Sequence, residues 1–310
     1  MDKFLITAIG GDLSQGIAKI LKNNYKKIKI IGCDITATHA GTNYADTFFK
    51  ISSADKKKKY LKELKIAIKK YKVNFLIAGS EKELELISQQ SEFFSYCQFI
   101  SAGKKAIKIC LDKYKTKLFL DKLGHKTPWT LLSKNNLPLS YPCIFKKRKS
   151  SGSKIFSIVN NKKEALFLSK KYKDSVFQEL LSPKNKEITC AVFRSKDGKV
   201  SVLQLNRKLT GGFTSWAEVI YSKDIEKICR KIAIALDLVG SLNIQLIITK
   251  DGARIFEINP RFSSTLYMRS LIGFDDLIWS IKDKKNIKII YPKIKTGIKL
   301  AKTYSAIKLK

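Results

Sequence analysis

The sequence predicts an α/β fold in two parts: a parallel sheet first, then a module organised on a β-hairpin with polar ends. Two observations carry this. Residues 3–9 form an apolar strand, Gly10-Gly11 a turn, residues 14–23 an amphipathic helix and residues 29–33 a second strand. That strand-turn-helix-strand order is the beginning of a parallel, Rossmann-like sheet. Towards the other end, the apolar β-branched runs 243–249 and 253–258 flank a Lys250-Asp251-Gly252 turn and read as a buried hairpin. A chain of 310 residues is long enough for two domains with cores of their own.

In the first part, residues 56–71 form a helix with Tyr60, Leu64, Ala67, Ile68 and Tyr71 on one side. Residues 74–78 form the next strand, and Gly79-Ser80 cap a helix that starts at Glu81. Gly10, Gly11 and Gly16 do not make G-x-G-x-x-G, so a tight turn is expected rather than a dinucleotide site. Asp34 is expected to cap its strand end. Glu81 and Glu83 lie just past a parallel strand's carboxyl end, where open α/β sheets bind ligands, although carboxylates also favour helix starts.

Residues 104–123 read as one helix carrying Asp112-Lys113 and stopped by Gly124. The strand 141–146 delivers Lys146 into the polar loop 147–154, which holds Arg148, Ser151, Gly152 and Ser153. Such a loop can cradle phosphate oxygens with backbone N–H groups and hydroxyls while Lys146 supplies a point charge. Strands follow at 175–181, 187–193 and 200–205; then comes a basic pair with Arg207 before a flexible Gly211-Gly212 turn. An amphipathic helix at 222–238 leads into the hairpin, and a helix at 275–282 follows it. The Lys-rich tail from 283 has one strand-like run, 287–291. His39 and His125 have no partner at ligand spacing and read as structural or exposed.

Strand residues alternate faces, so Gln245, Glu257 and Asn259 can share one face of the hairpin. A carboxylate and two amide carbonyls are hard oxygen donors suited to Mg²⁺ held mainly through a nucleotide's phosphates. Arg261 follows at once and can neutralise phosphate oxygens.

The segments NIQ and FEINPRFSS resemble the metal-binding signature of the ATP-grasp superfamily, in the branch similar to the carbamoyl phosphate synthase large chain. The resemblance implies a Rossmann-like pre-ATP-grasp domain at 1–103, an ATP-grasp domain at 104–283 with a small mobile lid at about 126–178, and a basic tail at 284–310. It assigns Gln245, Glu257 and Asn259 to one or two Mg²⁺ (or Mn²⁺) ions, and Arg261 and Arg207 to catalysis. It assigns Lys113, Lys146, Arg148, Ser151, Gly152 and Ser153 to the phosphates of ATP. Glu179, Leu180 and Leu181 become an adenine strap, and Glu187 a ribose contact. The loop after Lys146 departs from the family pattern: Lys147, Ser150 and Ile155 stand where the family has Pro and Gly, so the loop is stiffer.

The implied reaction is ATP- and Mg-dependent ligation, in which a carboxylate is activated as an acyl phosphate and attacked by an amine or thiol. Two other readings stand beside it. One is a carbamoyl-phosphate-synthase-like or carboxylating enzyme acting on a small acid such as bicarbonate. The other is a basic binding protein with a decayed nucleotide site. The net charge of +35 invites a nucleic-acid partner. However, only seven of the 61 basic residues are Arg, and the Lys are spread over every expected helix rather than gathered in a patch. The expected partners are therefore ATP and small carboxylate and amine substrates, with homodimerisation open and neither nucleic acid nor membrane required. Six scattered Cys without C-x-x-C, and no signal-peptide pattern at the start, point to the cytoplasm.

Overall fold

The computed structural model describes residues 1–149, 156–182, 187–303 and 306–309. In chain order the first elements are β1 (Asp2–Ile6), α1 (Asp12–Asn24), β2 (Ile28–Asp34), β3 (Thr47–Lys50), α2 (Lys57–Tyr71), β4 (Phe75–Ile77), α3 (Glu81–Ser88) and β5 (Gln98–Ile100). The strands form a sheet in the order β3-β2-β1-β4-β5, and every pairing within it is parallel. Helix α1 covers one face through Ile17, Ile20 and Leu21; α2 and α3 cover the other through Tyr60, Leu64, Leu84 and Ile87. Burial on both faces explains why these strands are nearly continuous apolar runs. Asp34 caps its strand end as expected, its carboxylate accepting from Gly10 N and Ile35 N. Gly10 lies close under His39: a Cβ there would be 2.5 Å from the ring, which would have to move.

Next come α4 (Lys104–Cys110) and α5 (Lys113–Lys122). The single helix expected over 104–123 is broken. Asp112 takes an extended backbone and its side chain accepts from Tyr114 N and Lys115 N, making it the N-cap of α5. A four-stranded antiparallel sheet follows, from β6 (Thr130–Leu132), β7 (Cys143–Lys147), β8 (Phe156–Val159) and β9 (Ser175–Glu179), with α6 (Lys162–Lys171) against it. Its order is β6-β9-β7-β8.

The remaining elements are β10 (Glu187–Arg194), β11 (Val200–Thr210), β12 (Phe213–Ile220), α7 (Lys223–Ala235), β13 (Gly240–Thr249), β14 (Gly252–Asn259), α8 (Leu266–Ser270), α9 (Asp276–Lys284) and β15 (Lys299–Ala301). The six strands order as β14-β13-β10-β11-β12-β15, all antiparallel. One face packs on α4, α5 and α7 through Cys190, Val192, Ile244, Ile255 and Ile258. The other packs on α8, α9 and the C-terminal segment. Helix α9 is wedged between the two large sheets: Leu277 and Ile281 join the parallel-sheet core, and Trp279 joins the antiparallel one.

Two further expectations need correcting. The segment 287–291 is not a strand. Ile289 and Tyr291 pack on the sheet core as irregular chain, and the added strand is β15, paired with β12. The strand expected to end at 205 runs on to Thr210, so Arg207 stands on β11 and not in a loop. Among the described residues, no helix is long and apolar enough to cross a membrane. All six Cys are buried and free.

Candidate active site

The hairpin β13–β14 positions the site. Asn243 lies opposite Asn259, and Gln245 opposite Glu257. Directly opposed residues of an antiparallel ladder share a face, so these four polar side chains stand together. A β-bulge makes this compatible with the core: the register shifts after Gln245, so that Leu246 pairs with Ile255 and Phe256 is the extra residue. Ile255 and Ile258 are an odd three apart, yet both belong to the same core. Only an inserted residue lets them do so.

Four cations converge on Glu257. Burial pushes its carboxyl up, but Lys113, Lys146, Arg261 and Arg207 together hold it below the usual carboxylate value. Lys113 Nζ is 3.7 Å from Glu257 Oε1. Lys146 reaches the cluster from β7 and is 9% exposed. Its ammonium is lowered to about 8, chiefly by burial, with Glu257 opposing and Lys113 assisting the shift. Glu257 thus sits in a positive field to which four side chains contribute. Among the described residues, no three His, Cys, Asp or Glu side chains cluster as a metal cage.

The arginines have partners that the sequence did not reveal. Arg261 forms an ion pair with Glu81 at the start of α3, with contacts of 3.0 and 2.7 Å. This joins the end of the hairpin to the carboxyl edge of the parallel sheet, where ligands of open α/β sheets bind. Glu83, expected beside Glu81, is instead buried. It completes a capping box with Ser80 and accepts from Tyr60 Oη at 3.1 Å.

Arg207 and Glu187, expected to contact different parts of a nucleotide complex, bond to each other across β10 and β11. Ile188 pairs with Asn206, so the next residues outward meet. Arg148, expected to contact phosphate, donates to Asp112, with Nε–O distances of 2.9 and 3.0 Å. The Glu179 carboxylate accepts from both Arg254 guanidinium nitrogens at 2.6 Å and from Trp129 N. It ties β9 to β14. Leu180 and Leu181 follow it, and Leu181 is buried. Ser151, Gly152 and Ser153 lie outside the described residues.

Sequence reasoning passed over Asn243, Arg254 and the Arg269–Asp276 pair. The last is fully buried, with Nη2–Oδ2 at 2.6 Å, and Arg269 also donates to Ser263 and Thr265. It braces the segment that follows Arg261. Asn243 had a readable signal, since it is two residues before Gln245 and so on the same face.

An extended hairpin carrying Gln, Glu and Asn, ringed by Lys and Arg and facing a doubly wound sheet, is the arrangement of an ATP-grasp protein. The ATP-grasp domain model matches residues 110–265 and the PylC-like N-terminal domain model matches residues 4–100. The chain belongs to the ATP-grasp family. Tyramine–L-glutamate ligase of Methanocaldococcus jannaschii is 28% identical over 213 residues, 66% of this chain. The match spans 61% of that relative's length. The N5-carboxyaminoimidazole synthetase of Staphylococcus aureus, solved with ADP, superposes with a TM-score of 0.75 at 17% identity, covering 93% of this chain and 78% of that one. The L-amino acid ligase of Bacillus licheniformis does so with a TM-score of 0.73 at 15% identity, covering 92% and 74%.

Proposed function

We propose that this chain is an ATP- and Mg²⁺-dependent ligase that activates a carboxylate as an acyl phosphate for attack by an amine. The observation that carries the reading is the set of four cations around Glu257 on the same face as Gln245 and Asn259. Two of these cations, Arg261 and Arg207, have carboxylate partners in Glu81 and Glu187, while Lys113 and Lys146 have Glu257 between them; an excess of positive charge remains, which fits a polyanion such as a triphosphate. Three oxygen donors with a single charge fit Mg²⁺ that takes its other ligands from phosphates and water. Bound there, the metal supplies charge neutralisation between phosphate groups.

The chain's own residues divide the remaining work. Glu257, Asn259 and Gln245 hold the ion. Lys113 and Lys146 face the phosphates, and Ser151, Gly152 and Ser153 follow Lys146 in the sequence. The segment Glu179, Leu180 and Leu181, at and just past the end of β9, would take the adenine edge, the Glu179 N–H being already donated to Trp129 O. Arg261, oriented by Glu81, stands between the metal face and the edge of the parallel sheet, where the acid and amine would meet the terminal phosphate. Arg207, held by Glu187, offers its guanidinium to negative charge building up at the acyl group. No side chain has to act as a covalent nucleophile; positioning and charge suffice. The relatives support C–N bond formation, and the M. jannaschii ligase suggests L-glutamate and tyramine as the first acid and amine to try.

The test is ADP release with Mg·ATP across a panel of acids, with and without amines, and with bicarbonate as a separate arm. An acid that needs an amine for full turnover supports the ligase. Turnover with bicarbonate and no other acid would favour the carboxylating alternative. In the Glu257→Gln variant we expect ADP formation to fall on the order of 100-fold or more, with the far-UV circular dichroism unchanged, because one metal charge is lost at constant shape. Wild-type turnover in that variant would overturn the metal assignment.

A further inference from the structure

The four-stranded sheet β6-β9-β7-β8 is a body of its own. Among the described residues, its apolar core of Cys143, Phe145, Val159, Ala165 and Phe177 shares no side chain with the cores of the two larger sheets. The chain enters this small sheet through residues 126–129 and leaves it after Glu179. One residue of the hairpin holds both connections. Arg254 on β14 donates through Nη1 and Nη2 to the two Glu179 carboxylate oxygens, each at 2.6 Å, and through Nη2 to Thr127 O at 2.8 Å. Neighbouring contacts reinforce the junction: Trp129 N donates to Glu179 Oε2, and Ile255 N to Lys126 O. The planar guanidinium fork lets one side chain span two strands.

The other end of the small sheet is anchored separately. Arg148, whose N donates to Asp174 O, is ion-paired with Asp112 at the start of α5, and Lys149 with Glu85 of α3. Lys146 of β7 hangs between the two anchors. Its partner across the ladder, Val176, is two residues from Asp174 and three from Glu179. If the Glu179 end swings by about 3 Å on the Arg148 end, Lys146 moves by about 1 Å at the usual strand rise. A displacement of that size takes an ammonium out of hydrogen-bond reach of its partner. The two strands that Arg254 joins are also the ones that bring Lys146 to the metal face, since Glu257 is three residues on from Arg254 along β14.

We infer that Arg254 is a positioning residue for Lys146: by clamping both connections of the small sheet to β14, it sets how closely the Lys146 ammonium approaches phosphate oxygens at the Glu257 face. Arg254 acts through the sheet, its own guanidinium being committed to Glu179 and Thr127. This rests on the ligase reading above.

The experiment is calorimetric titration of the full chain with ADP in excess MgCl₂, with far-UV circular dichroism on each protein. The proteins are wild type, Arg254→Met, Lys146→Met and the double variant. If Arg254 works through Lys146, its loss matters only while Lys146 is there. Arg254→Met should therefore weaken ADP roughly 10-fold in the wild-type background and less than about twofold in the Lys146→Met background. Arg254→Lys keeps the charge but cannot reach Glu179 and Thr127 together, so it should recover only part of the loss. If Arg254→Met does not fold, Arg254→Lys in the same two backgrounds carries the comparison.

An equal loss in both backgrounds would mean that Arg254 supports the segment after β9, or the fold at large, and not Lys146. No loss in either would mean that the contacts to Asp112 and Glu85 anchor the small sheet by themselves. Both results overturn the positioning role while leaving the ligase reading intact. Wild type that does not bind ADP with Mg²⁺ overturns the ligase reading and this one together.

Discussion

Buried charge in this protein is matched residue by residue, and the matches differ in kind. Glu257 is answered by four cations and is held ionised. Glu83 is answered only by hydroxyls and a backbone N–H. Burial raises its carboxyl, and the hydrogen bonds from Ser80, Thr7 and Tyr60 pull it back only in part. The folded chain therefore retains a proton that the unfolded chain, with a carboxyl near 4.3, has released. Stability falls as pH rises from about 4.3 through the folded value. Glu83→Gln preserves a side chain that can complete the capping box and carries no charge to bury. In urea unfolding between pH 4 and 8, the variant should gain on wild type as pH rises; parallel curves would refute this. The polar row at Gln245, Glu257 and Asn259 was legible because strand alternation is local. The pairing of Arg207 with Glu187, and of Arg261 with Glu81, was not. Each depends on a register or a docking between segments 20 and 180 residues apart.

Among the elements, the break between α4 and α5 shows how one side chain overrides periodicity. Apolar spacing ran unbroken through 104–123, but Asp112 competes for backbone N–H groups and starts a new helix. The same carboxylate receives Arg148 from the end of β7. Burial would raise it, but Arg148 and the cap hydrogen bonds lower it overall. Asp112→Ala removes both the cap and the ion pair and should cost about 2 kcal/mol, whereas Asp112→Asn keeps the cap and should cost about half of that. Thermal unfolding reads the difference; equal losses in the two variants would mean that the cap contributes nothing. The bulge at Phe256 has the opposite history. Gln245, Glu257 and Asn259 share a face as alternation predicts, yet the insertion that brings Glu257 opposite Gln245 leaves no mark in a pattern read two residues at a time.

At the scale of the whole molecule, α9 joins two sheets into one body and the net charge of +35 strains that body. Like charges on a compact chain repel more than on an expanded one. Screening at higher ionic strength should therefore raise the melting temperature, by a few degrees between roughly 20 and 300 mM NaCl. A fall would mean that the surface ion pairs, such as Lys82–Asp55 and Lys105–Asp237, outweigh the repulsion.

The sequence by itself determined the α/β class, the parallel first sheet, the hairpin and the family, because each is written in short-range periodicity or in a contiguous motif. Tertiary structure decided which cations face Glu257, which arginines are tied to carboxylates, and that the C-terminal segment adds β15 to the sheet beside β12. Those are outcomes of register and of the packing of α8 and α9 between sheets, and no window of the chain contains both partners.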